Sequence, residues 1–249
     1  MGKAKSIMVH PIGSRDARKL VQKIHYSGKF VNNSQLHLGV FMDGRCGGVM
    51  QFGPSLDKRK IQGLVKGTPW NGFLELNRLA FEDWLPRNSE SRALGFAFRW
   101  IRKTYPHIQW VVSFADAAQC GDGTIYRASG FCLTGIKRNN SIWRAPTGES
   151  FAETSLRPGI GGNRAIKRAE AIGRRTVTGG GNVGASGGGS SMNRFKEAGF
   201  APIPGFQLRY VYFIDKSAKE RLTVPILPFS KIDEMGAGMY KGEKRASKS

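Results

Sequence analysis

The sequence predicts an α/β (α+β) fold: a mixed central sheet flanked by helices, with a basic, Gly-rich insertion before the last strand. Three observations predict it. Strand and helix patterns interleave from Ile7 to Ile136. Two strand runs are joined by Asp43-Gly44, a strong short hairpin signal. A Gly/Ser tract, Gly179 to Ser191, separates a basic helical pattern from a final strand run, Phe206 to Ile214.

The elements follow in order. Ile7 to Ile12 is a short apolar run ending in Pro11 and Gly13, read as a first strand. Ser14 is placed to cap a helix over Arg15 to His25, where Ala17, Leu20, Val21 and Ile24 recur at helical spacing. Leu36 to Met42 and Cys46 to Phe52 form the hairpin strands, and Phe73 to Phe81 is another strand. Asn88 or Ser89 can cap a helix that runs to Thr104 and stops at Tyr105-Pro106, with Leu94, Ala97, Phe98 and Ile101 on its apolar face. Trp110 to Phe114 is a short buried strand, and Thr124 to Ala128 a short helix ended by Gly130. Strands around Phe131 to Ile136 and Ser141 to Ala145 follow, then a basic helix over Asn163 to Arg175. The Gly/Ser tract is expected to be flexible, and residues 235–249, polar and basic, to fray. The organisation expected is one domain over 1–249 with an insertion at 151–205 and no internal repeat.

The 249 residues carry 39 Lys and Arg against 18 Asp and Glu, a formal net charge of +21. So large an excess implies a polyanionic partner, because neutralising phosphates releases condensed counterions. Three cysteines, Cys46, Cys120 and Cys132, are too few and too irregular for a disulfide framework or zinc set. No apolar run approaches the roughly 20 residues that span a bilayer, and the start Met-Gly-Lys-Ala-Lys lacks a signal-peptide core. The expectation is a cytoplasmic protein.

Two segments resemble the GNAT acyltransferases. Arg92-Ala93-Leu94-Gly95-Phe96-Ala97 matches the R-x-x-G-x-A pattern of that family's pyrophosphate loop, and Tyr126-Arg127-Ala128-Ser129-Gly130-Phe131 its late Tyr-x-x-x-Gly-Phe segment. The first match implies cofactor binding by Arg92, Gly95 and Ala97; the alternative is that Gly95 is a close-packing glycine within a buried helix. A closer resemblance covers His25 to Gly135. His25-Tyr26-Ser27-Gly28, Leu38 to Phe41, Gly48 to Gly53, Glu75 to Leu79, Val111 to Asp116 and Gly123 to Ala128 together resemble the Mom proteins of Mu-like phages, a divergent GNAT-like group. The resemblance implies an enzyme that adds a carbamoylmethyl group to N6 of adenine in duplex DNA, shielding phage DNA from restriction in the host cytoplasm. The nearest rival is an acetyltransferase using acetyl-coenzyme A on a protein or small-molecule amine; a second is a non-enzymatic nucleic-acid binder. A Gly-His pair expected before Gly-Thr-Ile-Tyr is replaced by Cys120-Gly121-Asp122-Gly123.

Candidate roles follow from that resemblance and from residue chemistry. Tyr126 can serve as general acid or orient the reacting groups; the alternative is a buried aromatic with a satisfied hydroxyl. Ser113 and Asp116 end a buried strand, where ligands gather in such sheets, and Asp116 can accept a proton or hold the adenine amine, or merely cap a turn. Strict alternation puts Arg78 on the face of Leu76, where it binds donor or phosphate or pairs with Glu75 or Glu82. His25 and Tyr26 end the first helix, and His25 is a candidate base or metal ligand. The four histidines, at 10, 25, 37 and 107, have no metal-ligand spacing, and iron enters by family resemblance only. A glycine-derived donor, such as a glycyl ester of transfer RNA, fits the product atoms better than acyl-coenzyme A. DNA contacts are expected from Lys58, Arg59, Lys60 and Lys66 in the loop after the hairpin, from Arg164, Lys167, Arg168, Arg174 and Arg175 in the insertion, and from Trp70, which either stacks on an extruded base or anchors its loop.

Overall fold

The computed structural model describes residues 3–25, 28–117, 123–156, 163–176, 192–237, 239–240 and 243–244. The strands of the main sheet are β1 (Met8–Pro11), β2 (Leu36–Met42), β3 (Arg45–Gly53), β4 (Phe73–Phe81), β5 (Trp110–Asp116), β6 (Cys132–Arg144), β7 (Ser150–Ala152) and β8 (Ala201–Phe213). They lie in the order β1-β2-β3-β4-β5-β8-β6-β7. The mixed sheet flanked by helices is therefore present. Every neighbouring pair is antiparallel except β4 and β5.

Asp43 and Gly44 turn the β2–β3 hairpin with φ of 52° and 75°, the doubly left-handed turn that matches strand twist. Helix α1 (Ser14–Ile24) begins one residue earlier than its sequence signal. Gly13 holds the cap position and Ser14 is already helical, so Ser14 is not the cap. Helix α3 (Ser89–Thr104) has Asn88 as its N-terminal flank at φ 70°, with no side-chain cap, and the Ser89 hydroxyl turns back to donate to Pro86 O at 2.6 Å. One strand, β6, occupies the stretch where two were expected. Register shifts at Leu133/Gly135 and Asn139/Ile142 let it bend while staying paired to β8, and they account for the broken apolar pattern.

Three layers result. On one face Leu94, Ala97, Phe98 and Ile101 of α3 pack against Leu38, Met50, Leu76, Val111 and Leu208. On the other, α1 packs Ala17 and Val21 on Val49 and Ala80. Beside it, α2 (Lys58–Gln62) and the chain after it cover Phe73, Trp110, Val112 and Val211. These are called the α3 face and the α1 face below. After β8 a 3-10 turn (Lys216–Arg221) bridges through Leu222 to Val65. The chain then crosses the free edge of β6, where Leu227 N donates to Leu133 O at 2.8 Å. It ends its crossing in α8 (Ser230–Glu234), with Ile232 and Ala237 in the main core. That strap blunts an open strand edge, and it holds Ala237 inside the stretch expected to fray.

The insertion contributes α5 (Glu153–Leu156), α6 (Asn163–Thr176) and α7 (Asn193–Glu197). With β7 they bury Phe151, Leu156, Ile172, Phe195 and Phe200 against Trp143, an apolar cluster separate from the main core. The tract Gly179 to Ser191 lies outside the described residues. Near the C-terminus Met239–Tyr240 and Glu243–Lys244 pair as a two-stranded ladder. Among the described residues no helix is long and apolar enough to cross a membrane.

Candidate active site

The sheet opens between its two parallel strands. The β4–β5 ladder holds from Phe73↔Trp110 to Glu75↔Val112 and then ends, while β4 stays paired to β3 and β5 to β8. A bulge in β4 sits at the mouth of the opening: Gln51 pairs with Arg78 and Phe52 with Leu76, so Asn77 is the extra residue. The bulge resets the alternation of β4. Leu74 and Leu76 face α3, and so do Leu79 and Phe81, whereas Arg78 turns to the α1 face. The expectation that Arg78 shares the face of Leu76 is therefore corrected. Its Nε donates to Lys29 O at 2.8 Å and its Nη1 to Asn77 O at 2.6 Å. Glu82 is not its partner; that carboxylate takes Lys23 at 2.8 Å and Arg45 at 3.7 Å.

Ser113 stands in the opening on the α3 face. Its Oγ donates to Tyr126 Oη at 3.0 Å, with Leu76 O at 3.4 Å as the second acceptor within reach. Tyr126 is half-buried on α4 (Thr124–Ala128). Its ring stacks on Tyr210 of β8 at 4.7 Å and 14° and meets Phe131 edge-on at 5.2 Å. Gly123 enters α4 at φ 69°, and a Cβ there would collide with the Tyr210 hydroxyl. The pair thus offers a positioned phenol at the point where β4 and β5 part.

A second polar group gathers on the α1 face. His25 closes α1, its N–H bonded to Val21 O at 3.0 Å. Burial, with a smaller contribution from the Arg78 charge, pushes its imidazole down to about 3, so at neutral pH the ring is uncharged and weakly basic. Lys29 is held down to about 8 by burial and by Arg78, close to working pH. Of the two, Lys29 is the better proton acceptor. Burial also raises the Glu75 carboxyl, offset in part by the nearby polar side chains of Ser55 and Asn77 and by the Arg78 charge. Asp116 follows Val112 and Phe114 in the alternation of β5, which puts it on this face, opposite Ser113 and Tyr126. Its Oδ2 accepts from Asn139 Nδ2 at 3.3 Å. The Tyr126 phenol and the Asp116 carboxylate, the two candidate proton-transfer groups, are thus on opposite faces of the opening. Tyr26 lies outside the described residues.

The burial of neutral His25 makes stability depend on pH. Its folded value lies below the unfolded one, so the unfolded chain binds more protons, and stability is full above the ordinary value of 6.5 and lost as pH falls toward 3. Between pH 7.5 and 4.5 the wild type should lose about 2–3 kcal/mol more than His25→Asn in urea unfolding. Parallel losses in the two proteins would remove His25 as the cause.

The remaining expected sites separate. Gly95 lies well inside α3, past the first turn whose N–H groups could meet a phosphate, and Ala97 is fully buried in the core. Neither is placed to hold a pyrophosphate. A Cβ on Gly95 would meet only Arg99 at 3.7 Å, so close packing does not explain that glycine either. Arg92 is half-buried, its guanidinium 5.3 Å from the Phe96 ring. Lys58, Arg59 and Lys60 stand on α2, a short helix rather than a loop; Arg59, Lys60 and Lys66 are exposed. Lys58 Nζ donates to Asn71 Oδ1 at 2.9 Å and sits 4.5 Å over the Trp70 ring. In the insertion Lys167 and Arg168 are exposed, with Arg168 paired to Glu149 at 2.7 Å. The side chains of Arg164, Arg174 and Arg175 lie outside the described residues. Among the described residues no three His, Cys, Asp or Glu side chains converge as a metal site.

Residues 6–231 match the Mom protein family. The chain belongs to the Mom family. This Mom-family chain is 37% identical over 225 residues to methylcarbamoylase mom of Escherichia phage Mu, covering 90% of this chain and 82% of that protein. Solved structures similar to it include the IAA acetyltransferase of Bacillus cereus, with 14% identity and a TM-score of 0.40 over 53% of this chain and 81% of that one. Another is the ribosomal-protein-S18-alanine N-acetyltransferase of Escherichia coli, with 15% identity and a TM-score of 0.40 over 58% and 88%.

Sequence reasoning missed Lys29, Tyr210 and Asn139. Each lies far along the chain from the residue it serves, and a lone Lys, Tyr or Asn carries no spacing signal. Glu75 enters the sequence reading within the Glu75 to Leu79 segment and as a partner for Arg78, not as part of an opening in the sheet. Its position opposite Val112, the last rung before the opening, is a fact of strand register.

Proposed function

We propose that this chain modifies duplex DNA, transferring a carbamoylmethyl group to N6 of adenine and so protecting phage DNA from restriction. The observation that carries the reading is the hydrogen-bonded Ser113–Tyr126 pair in the open seam between β4 and β5, in a chain whose homologue is a methylcarbamoylase. The opening has two faces, and the proposal uses both. The donor lies along the α3 face, where Tyr126 directs its hydroxyl at the group being transferred. The target base enters from the α1 face, which also bears the cations of α2. There Arg78 supplies a fixed positive charge, and Lys29 takes the proton that leaves the amine as the new N6–carbon bond forms. Asp116, on the same face, holds the amine by accepting a hydrogen bond.

A glycine-derived donor, an aminoacyl ester such as glycyl-tRNA, carries the atoms of the added group: N6 attacks the ester carbonyl, the ribose hydroxyl leaves, and the resulting N6-glycyl adduct, an isomer of the carbamoylmethyl product, reaches it by internal rearrangement with no further reagent. An acyl-coenzyme A donor is disfavoured by α3, which starts with Glu90 in its first turn and keeps Gly95 within its body. The test is plasmid DNA from cells expressing the intact chain, digested to nucleosides and analysed by mass spectrometry. The expected product is adenosine heavier by one carbamoylmethyl group. An unmodified adenosine profile, with the protein present in soluble form, would end the proposal.

A further inference from the structure

We infer that Leu56 is a wedge that enters the base stack and holds the gap open when the target adenine leaves the duplex. The inference rests on the proposed action at a duplex adenine and names the residue that makes that base reachable.

Leu56 is 99% exposed, against 51% for Trp70, the next most exposed large apolar side chain among the described residues. A bare leucine at a loop tip gains nothing in folding. This one is also held out by its neighbours. Gly53, before it, is the last residue of β3, and a Cβ there would press on Ser34 and Asn77. Pro54 restricts the chain, and Ser55 is buried. On its other side Asp57 caps α2, accepting from Lys60 N at 3.4 Å. Leu56 therefore projects from between two anchored residues.

Its place matches the task. Gly53 pairs with Glu75, and Glu75 with Val112, the last rung before β4 and β5 part. The loop thus springs from the level at which the sheet opens, and it leads directly into α2 on the α1 face. Lys58, Arg59 and Lys60 follow at once, the cations a phosphate backbone would meet on either side of an inserted side chain. Trp70 is a poorer candidate, because the Lys58 ammonium lies over its ring. Apolar side chains that enter base steps in this way offset the unstacking left by an extruded base.

The test separates binding from extrusion. Duplexes take 2-aminopurine in place of one adenine, within a sequence that the wild type modifies in plasmid DNA. Wild-type protein should raise the fluorescence as the base unstacks. Leu56→Ala should bind within about twofold by anisotropy, since phosphate contacts dominate affinity. Its fluorescence rise should fall about fivefold or more, its plasmid modification should fall with it, and Leu56→Phe should restore both. A full rise with Leu56→Ala overturns the inference and assigns the loop to a partner other than the base stack. Loss of binding and rise together also overturns it, since that marks a general contact. If the wild type unstacks the probe in an adenine-rich duplex but modifies no plasmid adenine, the proposed reaction fails and the wedge stands.

Discussion

Tyr126→Phe is expected to lower the modified fraction of adenosine about 100-fold or more, with the protein still folded. The ring keeps its stack on Tyr210 and its edge contact with Phe131, so only the hydroxyl is lost. Ser113 Oγ then has Leu76 O, at 3.4 Å, as its acceptor, and the stability cost is about 1 kcal/mol. For a chain this size that lowers Tm by about 2–4 °C. Ser113→Ala should cost less activity, about tenfold, because in the proposed reaction Ser113 only positions the phenol. Nucleoside mass spectrometry on the two variants reads both effects. A Tyr126→Phe variant that modifies adenine at the wild-type level would remove the phenol from the chemistry.

The largest expected loss of stability comes from Gly123→Ala. At φ 69° the backbone already disfavours a side chain, and the added Cβ collides with the Tyr210 hydroxyl. Tyr210 is fully buried on β8, paired to Ser113 on one side and Leu133 on the other, so it cannot retreat without opening the sheet. The left-handed backbone costs about 1–2 kcal/mol and the overlap about 1–3 kcal/mol. Together they should lower Tm by roughly 5–15 °C. Activity should fall even in the folded fraction, because α4 carries Tyr126 and its first residue follows Gly123. A melting curve that overlays the wild type would show that α4 can shift freely.

The sequence carried most of the fold where local chemistry decides the outcome. Asp43-Gly44 specifies a turn that few other dipeptides permit, and Tyr105-Pro106 ends α3 where expected. It misled where pairing decides. Glu75-Leu76-Asn77-Arg78 looks like strict alternation, and nothing within those residues announces a bulge; the register of β3 imposes it and turns Arg78 to the other face. The polar run Lys137 to Asn140 suggested a break between two strands, yet the bond donors of β8 carry β6 through it. For the candidate site, Tyr126 and Ser113 were legible because the family motifs run through them. That Asp116 stands apart from Ser113 follows from β5 parity, but the sequence pattern ends that strand at Phe114, and only the pairing with β8 carries it on to Asp116.

Strand β8 separates β5 from β6, although it follows both by a long stretch of chain. A ribosome making this protein therefore releases two unjoined sheet fragments before residues 201–213 emerge to knit them. The same late strand delivers Tyr210, the platform on which Tyr126 rests. Termination anywhere before β8 leaves the sheet in two pieces and Tyr126 without its stacking partner.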